Sequence, residues 1–330
     1  MDAKSPPIAD PHAFLAAQVR WRPIEIAFWL ATLLPFVLSP SYLVLASHVA
    51  IAALFALSLD LILGYAGIIS LGHAAFFGFG AYTAGILAKA GWGEPLSGLA
   101  GGACAALLLG YVTSFIVTRV SHLSLIMVTL GICLLFYEGA NRMGWLTGGD
   151  DGLQGVVMWP LLGRFDFDLY GYVAYAYALV ALFVSFLAVR RLIHSPFGLS
   201  LRGIRENVRR MPAIGAPTRR RLRTAYTISA GFAGLAGALL AQTSQFVALE
   251  VLSFQRSAEI LVMLVLGGAG RLYGGLVGAI IFMVARDQLA DMNPQYWYFW
   301  LGLLLITVVM FLPNGILGGL AQLLARWRAS

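Results

Sequence analysis

The side chains of this chain that could do chemistry are few, and most are arginines gathered in one place. Between Ser195 and Thr224, SPFGLSLRGIRENVRRMPAIGAPTRRRLRT, eight arginines stand against the single acid Glu206. With Arg190 and Arg191, the stretch 190–224 holds ten basic residues and a local charge of +9; the whole chain carries +7, so the remainder sums to −2. Leu201, Ile204, Val208 and Met211 are spaced 3, 4 and 3 apart, which lines one face of a helix. Arg202, Arg205, Glu206, Arg209 and Arg210 fill the rest, with Arg202–Glu206 and Glu206–Arg210 at i,i+4 pairing distance. The spacing predicts an amphipathic helix over 199–211, stopped around Pro212, with Gly215 and Pro217 turning the chain. From its residues alone such a helix either lies in a lipid interface, arginines against anionic headgroups, or is the surface another protein pushes on.

Other reactive groups are isolated. His73 is the one titratable residue of GYAGIISLGHAAFFGFGAYTAG (64–85), whose Ala74 and Gly78, and Ala81 and Gly85, permit close helix crossing. This stretch is either a packing element or a broken helix lining a translocation path, with Gly64, Gly67, Gly72, His73, Gly78 and Gly80 as candidate path residues. His73 itself reads as a hydrogen-bonded packing residue before a proton relay or a ligand. Asp60, Glu138 and Glu259 lie near the ends of apolar runs, where interfacial water hydrates them, and form no relay with His73 at helical spacing. Cys104 and Cys133 sit inside apolar runs, which indicates neither a disulfide framework nor a zinc site. There is no GxxxxGK[ST], no HExxH and no GxSxG, and Lys4 and Lys89 are the only lysines. The expectation is a chain that is not an enzyme, holds no catalytic residue, metal or cofactor, and does not hydrolyse ATP itself.

The elements that position these groups follow from composition. Sixty per cent of residues are apolar and 11% charged, with a mean hydropathy of +0.82, far from the soluble balance of about a quarter charged. Apolar runs recur at lengths that match a helix crossing roughly 30 Å of hydrocarbon, and 37 glycines suit closely packed helices. The fold class is all-α, a polytopic transmembrane helical bundle of about ten spans including short or broken helices, over 24–39, 41–63, 68–89, 95–118, 123–141, 171–190, 222–243, 257–270, 273–289 and 296–313. With the arginine loop on the inside, the remaining connections obey the positive-inside rule and both termini are cytoplasmic. The expected organisation is a tail over 1–23, one membrane domain over 24–318 with a cytoplasmic loop 195–223 and an external loop 142–170, and a tail over 319–330. The runs on either side of GGAGRLYGG, within 257–289, are two short spans or one re-entrant pair. The pI of 9.6 comes from one inter-helix loop, so the lipid bilayer, and not nucleic acid, is the expected partner.

At these residues the chain resembles the permease subunits of bacterial ATP-binding-cassette importers for branched-chain amino acids, the Liv type, and within it the LivM-like subunit over its shorter LivH-like partner. The stretches that carry the resemblance are LILGYAGIISLGHAAFFGFGAYTAG (61–85), LTGGDDGLQGV (146–156), the segment 195–241, and AEILVMLVLGGAGRLYGGLVGAI (258–280). Pro212 and Asp60 depart from the family pattern, which often has an acid at the first and an asparagine at the second. The resemblance implies a multi-pass protein of the bacterial inner membrane, paired with a second permease subunit. It also implies two ATP-binding subunits that carry the ATP and magnesium, and a periplasmic or extracellular substrate-binding protein. It makes 199–217 a coupling helix docked on the ATPase, with Leu201, Ile204, Arg205, Glu206, Val208, Arg209, Met211 and Gly215 as its candidate contacts. The implied cargo is a branched-chain or other hydrophobic amino acid. Relatives of this type also serve urea, short amides and aromatic acids, and a stand-alone secondary carrier or channel is the alternative from another class.

Overall fold

A computed structural model describes residues 21, 23–38, 40–120, 123–168, 170–208, 210–213, 215–312 and 315–320. The predicted tails, together with Arg209, therefore lie outside or largely outside the described residues. The chain forms α1 (Pro23–Ala31), α2 (Pro35–Leu38), α3 (Leu43–Asp60), α4 (His73–Lys89), α5 (Pro95–Val117), α6 (Leu123–Arg142), α7 (Gly144–Thr147), α8 (Tyr172–Ile193), α9 (Pro196–Glu206), α10 (Arg210–Ala213), α11 (Thr218–Ser244), α12 (Phe254–Gly267), α13 (Gly274–Met292) and α14 (Trp297–Phe311). Among the described residues, extended pairing is limited to two isolated bridges, Leu153–Val247 and Leu161–Phe165.

Each predicted apolar run is helical, but they are not alike. Among the described residues, five helices are long and apolar enough to cross a membrane: α3 with its continuation to Tyr65, α5, α6, α8 and α11. The run 24–39 breaks into α1 and α2 ahead of Pro35, whose ring cannot continue a helix. α12 has 14 residues, about 21 Å at 1.5 Å per residue, and turns at Gly268 into α13. Gly267 and Gly278 let this hairpin close: a Cβ on the first would strike Gly274, and on the second Met263.

The core is built on α3, α4, α5 and α11, whose small residues allow backbone approach without a hydrophobic drive between helices. A Cβ added to Gly80 would collide with the backbone of Gly234, and one on Gly237 with the carbonyl of Phe77. α3 and α11 are the most enclosed spans, whereas α5 and α6 present apolar side chains outward, among them Leu108, Val112, Met127 and Leu135. An apolar exterior of this kind suits hydrocarbon as its solvent.

Loops predicted to share a side lie together. The turn after α3, the turn Gly268–Tyr273 and α9 meet at one end, and Gly315 packs against Gly268 there. Glu25 at the start of α1 pairs with Arg190 at the end of α8 at 2.7 Å, which puts α1's beginning at the same end. At the opposite end Leu153 N–H donates to Val247 and Trp159 N–H to Gly93, each at 2.8 Å.

A candidate coupling surface and an internal chamber

The predicted helix 199–211 is two helices. α9 starts earlier, with Pro196 at its first position and the Ser195 hydroxyl accepting from Gly198 N–H. It ends at Glu206, because Asn207 turns extended (φ −154°, ψ 95°) and its Oδ1 accepts from Arg210 N–H at 3.0 Å. An asparagine side chain that satisfies backbone donors competes with helix continuation, and here it opens the next helix. Pro212 does not stop a helix; it lies within the single turn of α10, where first-turn N–H groups need no helical acceptor. Gly215, at φ +81° with open space around it, supplies the left-handed turn that follows.

The apolar stripe is divided accordingly. Leu201 and Ile204 are fully buried against the chain's own helices, Met211 folds back against Gly203, and Val208 is 54% exposed. Glu206, Arg210 and Gly215 are exposed. Arg205 is also exposed, yet its tip reaches the turn after α3: its Nη1 donates to the Gly64 carbonyl, and its stem runs beside Gly67, where an added Cβ would stand 3.2 Å from Cγ. Arg202 lies over the Tyr65 ring, 5.3 Å from its centroid.

What these arginines grip is an irregular turn. Leu61–Tyr65 winds as a π-helix, the wider turn frequent at functional sites, and Ile68 N–H closes it on Ile62 at 2.8 Å. Asp60 Oδ1 accepts from Gly270 N–H at 2.7 Å, while its Oδ2 is buried without a protein partner. A side chain on Gly64 would collide with Asp60 and Gly270, so only glycine lets α3, the Gly268–Tyr273 turn and Arg205 meet. The sequence reading missed this junction, since Asp60 and Gly270 are 210 residues apart; the one local signal was an acid at the end of an apolar run.

The remaining arginines divide by task. Arg221 donates to Ser200 at 2.6 Å, tying α11 to α9, and Arg223 donates to Thr118 at 3.2 Å over the Phe115 ring. Arg219 and Arg220 are exposed.

Gly64, Gly72, Gly78 and Gly80 are buried contact points, and Gly67 is exposed beside Arg205. His73 is wholly buried: the Ser58 hydroxyl donates to Phe55 at 2.6 Å and lies 2.9 Å from His73 Nε2, and the imidazole stacks on Phe55. None of these six residues lines a chamber of about 1110 Å³ bounded by parts of α3, α4, α6, α11, α12 and α13. Its wall carries His48, Glu250, Arg256, Glu259, Arg286 and Asp287. Glu259 was read as an isolated acid at a span end; it pairs with Arg256 at 3.2 Å in this wall.

Comparison with known proteins accounts for this architecture. Residues 41–309 match the family described as branched-chain amino acid transport system / permease component. The chain is 30% identical over 314 residues to the high-affinity branched-chain amino acid transport system permease protein LivM of Escherichia coli K12, covering 87% of this chain and 72% of that protein. LivM of Salmonella typhimurium LT2 is 30% identical over 310 residues, 86% of this chain and 71% of the relative. LivH of the same Salmonella strain is 29% identical over 141 residues, 42% of this chain and 46% of LivH. No solved structure matches. A multi-pass helical bundle whose match spans nearly all its membrane helices is a transport subunit and not an enzyme, and the chain belongs to the branched-chain amino acid transport permease family.

Proposed function

We propose that this chain is one of two related permease subunits of an ATP-driven importer in a bacterial inner membrane, carrying branched-chain or similar hydrophobic amino acids inward. Similarity to both LivM and LivH supports pairing with a second, related permease. Two ATPase subunits, holding ATP and magnesium, dock where α9 and α10 stand, and a binding protein delivers substrate at the opposite end.

The observation that carries this reading is the division between α9 and the segment after it. Leu201 and Ile204 bury α9 against the chain's own helices and Arg205 ties it to the π-turn of α3, while Glu206, Val208, Arg210 and Gly215 are exposed. A helix clamped to a core span on one side and free on the other suits transmission of a push. Docking falls to the exposed set, with Arg209 beside it in sequence, and Arg205 passes the motion to α3 and the Gly268–Tyr273 turn. The crossings at Gly72, Gly78 and Gly80 let the spans slide as the path changes the side it opens to. The test is co-purification with candidate ATPase subunits after co-expression. Val208→Asp with Arg210→Glu is expected to abolish recovery of the ATPase, because it places acids in a face that must be desolvated. Full recovery from that double variant would remove the docking role.

A further inference from the structure

The 1110 Å³ chamber is walled by charged side chains that are not all used on one another. Arg256 is matched by Glu259. Arg286 on α13 is not: its guanidinium stands 5.5 Å from the centroid of the Trp297 ring, and among the described residues no carboxylate pairs with it within 4.0 Å. Asp287, next along α13, and Glu250, an exposed residue of the same lining, are likewise without an ion pair among the described residues. A half-buried arginine without a carboxylate partner in a membrane protein is costly and marks a place where an anion is taken. Unpaired acids in the same wall supply the opposite sign. The remaining lining mixes aliphatic residues, with Ile51, Ile260 and Met263 buried in it, with aromatic rings, Phe55 and Phe77 among them, and polar side chains such as Gln255.

We infer that this chamber is a holding site for an amino acid in transit, with Arg286 taking the carboxylate, Asp287 and Glu250 facing the ammonium, and the apolar part of the lining, aliphatic and aromatic, receiving the side chain. One fixed cation and two fixed anions beside apolar side chains complement a zwitterion with a hydrophobic tail. Urea and short amides, being neutral, would leave Arg286 desolvated and unmatched. The inference rests on the reading of the chain as an importer permease and assigns residues of this chain to the charges of its cargo.

The experiment uses the complete importer, with both permeases, ATPases and binding protein, in proteoliposomes supplied with ATP and radiolabelled leucine. Arg286→Gln is expected to cut the maximal uptake rate at least tenfold without changing the half-saturating concentration of loaded binding protein, since it removes only the carboxylate receptor. Arg286→Lys, which keeps the charge, should recover to within threefold. A second measurement uses the complex in nanodiscs without binding protein and reads saturation transfer to leucine and to 3-methylbutylamine, its analogue without the carboxylate. Arg286→Gln should lose transfer to leucine and keep transfer to the amine. Wild-type uptake and wild-type leucine transfer in Arg286→Gln would overturn the inference and leave the importer reading intact. Absence of leucine uptake by the unmodified complex would instead overturn the importer reading, and this assignment with it. Should Arg286→Gln fail to co-purify with its partners, Asp287→Asn combined with Glu250→Gln must lower uptake tenfold; unchanged uptake there also overturns the inference.

Discussion

The Arg205 guanidinium, carried on the surface helix α9, donates through Nη1 to the carbonyl of Gly64 inside the π-turn that ends α3, and the same group lies beside Gly270. One side chain thus touches three segments: the helix proposed to receive the ATPase, the most enclosed span, and the turn between α12 and α13. The sequence reading grouped Arg205 with the residues reaching outward. Its hold on Gly64 changes what its removal should do.

Arg205→Gln keeps a donor but shortens the reach and removes the charge, so α9 loses its grip on Gly64 while Leu201 and Ile204 still hold it in place. We expect ATPase subunits to co-purify as with the unmodified chain while ATP-driven uptake falls about tenfold, equivalent to roughly 1.4 kcal/mol of coupling. Uptake assays beside pull-down of the ATPase separate the two effects; loss of the pull-down would assign Arg205 to docking.

Asp60 Oδ1 accepts the Gly270 N–H at 2.7 Å. Asparagine preserves that acceptor, so Asp60→Asn should assemble and transport normally within a factor of about three. Asp60→Ala leaves a buried N–H unsatisfied, at about 1–3 kcal/mol, and opens space beside Gly64. We expect a lower thermal unfolding midpoint for the alanine variant alone, read by fluorescence of the purified protein.

The α4–α11 crossing is set by glycine. Gly237→Ala drives a Cβ into the Phe77 carbonyl, and overpacking of this kind costs about 1–3 kcal/mol. Gly131 on α6 has open space where its Cβ would stand, and alanine there gains helix propensity of about 1 kcal/mol. Thermal unfolding of the two variants should therefore move in opposite directions, down for Gly237→Ala and level or up for Gly131→Ala.

Glu25 and Arg190 form the most enclosed ion pair among the described residues, with side chains 17% and 6% exposed, and Arg190 also covers the Trp21 ring. Removing one partner of a buried ion pair costs about 3–5 kcal/mol. Glu25→Gln should destabilise the chain strongly, and adding Arg190→Met should restore much of the loss. A double-mutant cycle on unfolding midpoints measures the coupling directly.

The sequence by itself determined the class of this protein. Runs of apolar residues matched to bilayer thickness can only be helices, because a helix satisfies its own backbone in hydrocarbon. That local rule made every predicted run helical, and the arginine excess together with loop charges sorted the connections into two ends that the fold keeps apart. The 3, 4, 3 spacing of Leu201, Ile204, Val208 and Met211 likewise announced an amphipathic helix, although one side-chain hydrogen bond from Asn207 was enough to cut it short. Only the tertiary structure decided which way the chemistry faces. Periodicity places Leu201 and Ile204 on a face but does not say whether that face meets another protein or this one; they are buried in this one. Asp60 finds Gly270 across 210 residues, and Arg286 and Asp287 of α13 share one wall with Glu250 from the segment before α12. A charge in an apolar run has a meaning set by what surrounds it, and its surroundings come from packing between helices, which no local pattern encodes.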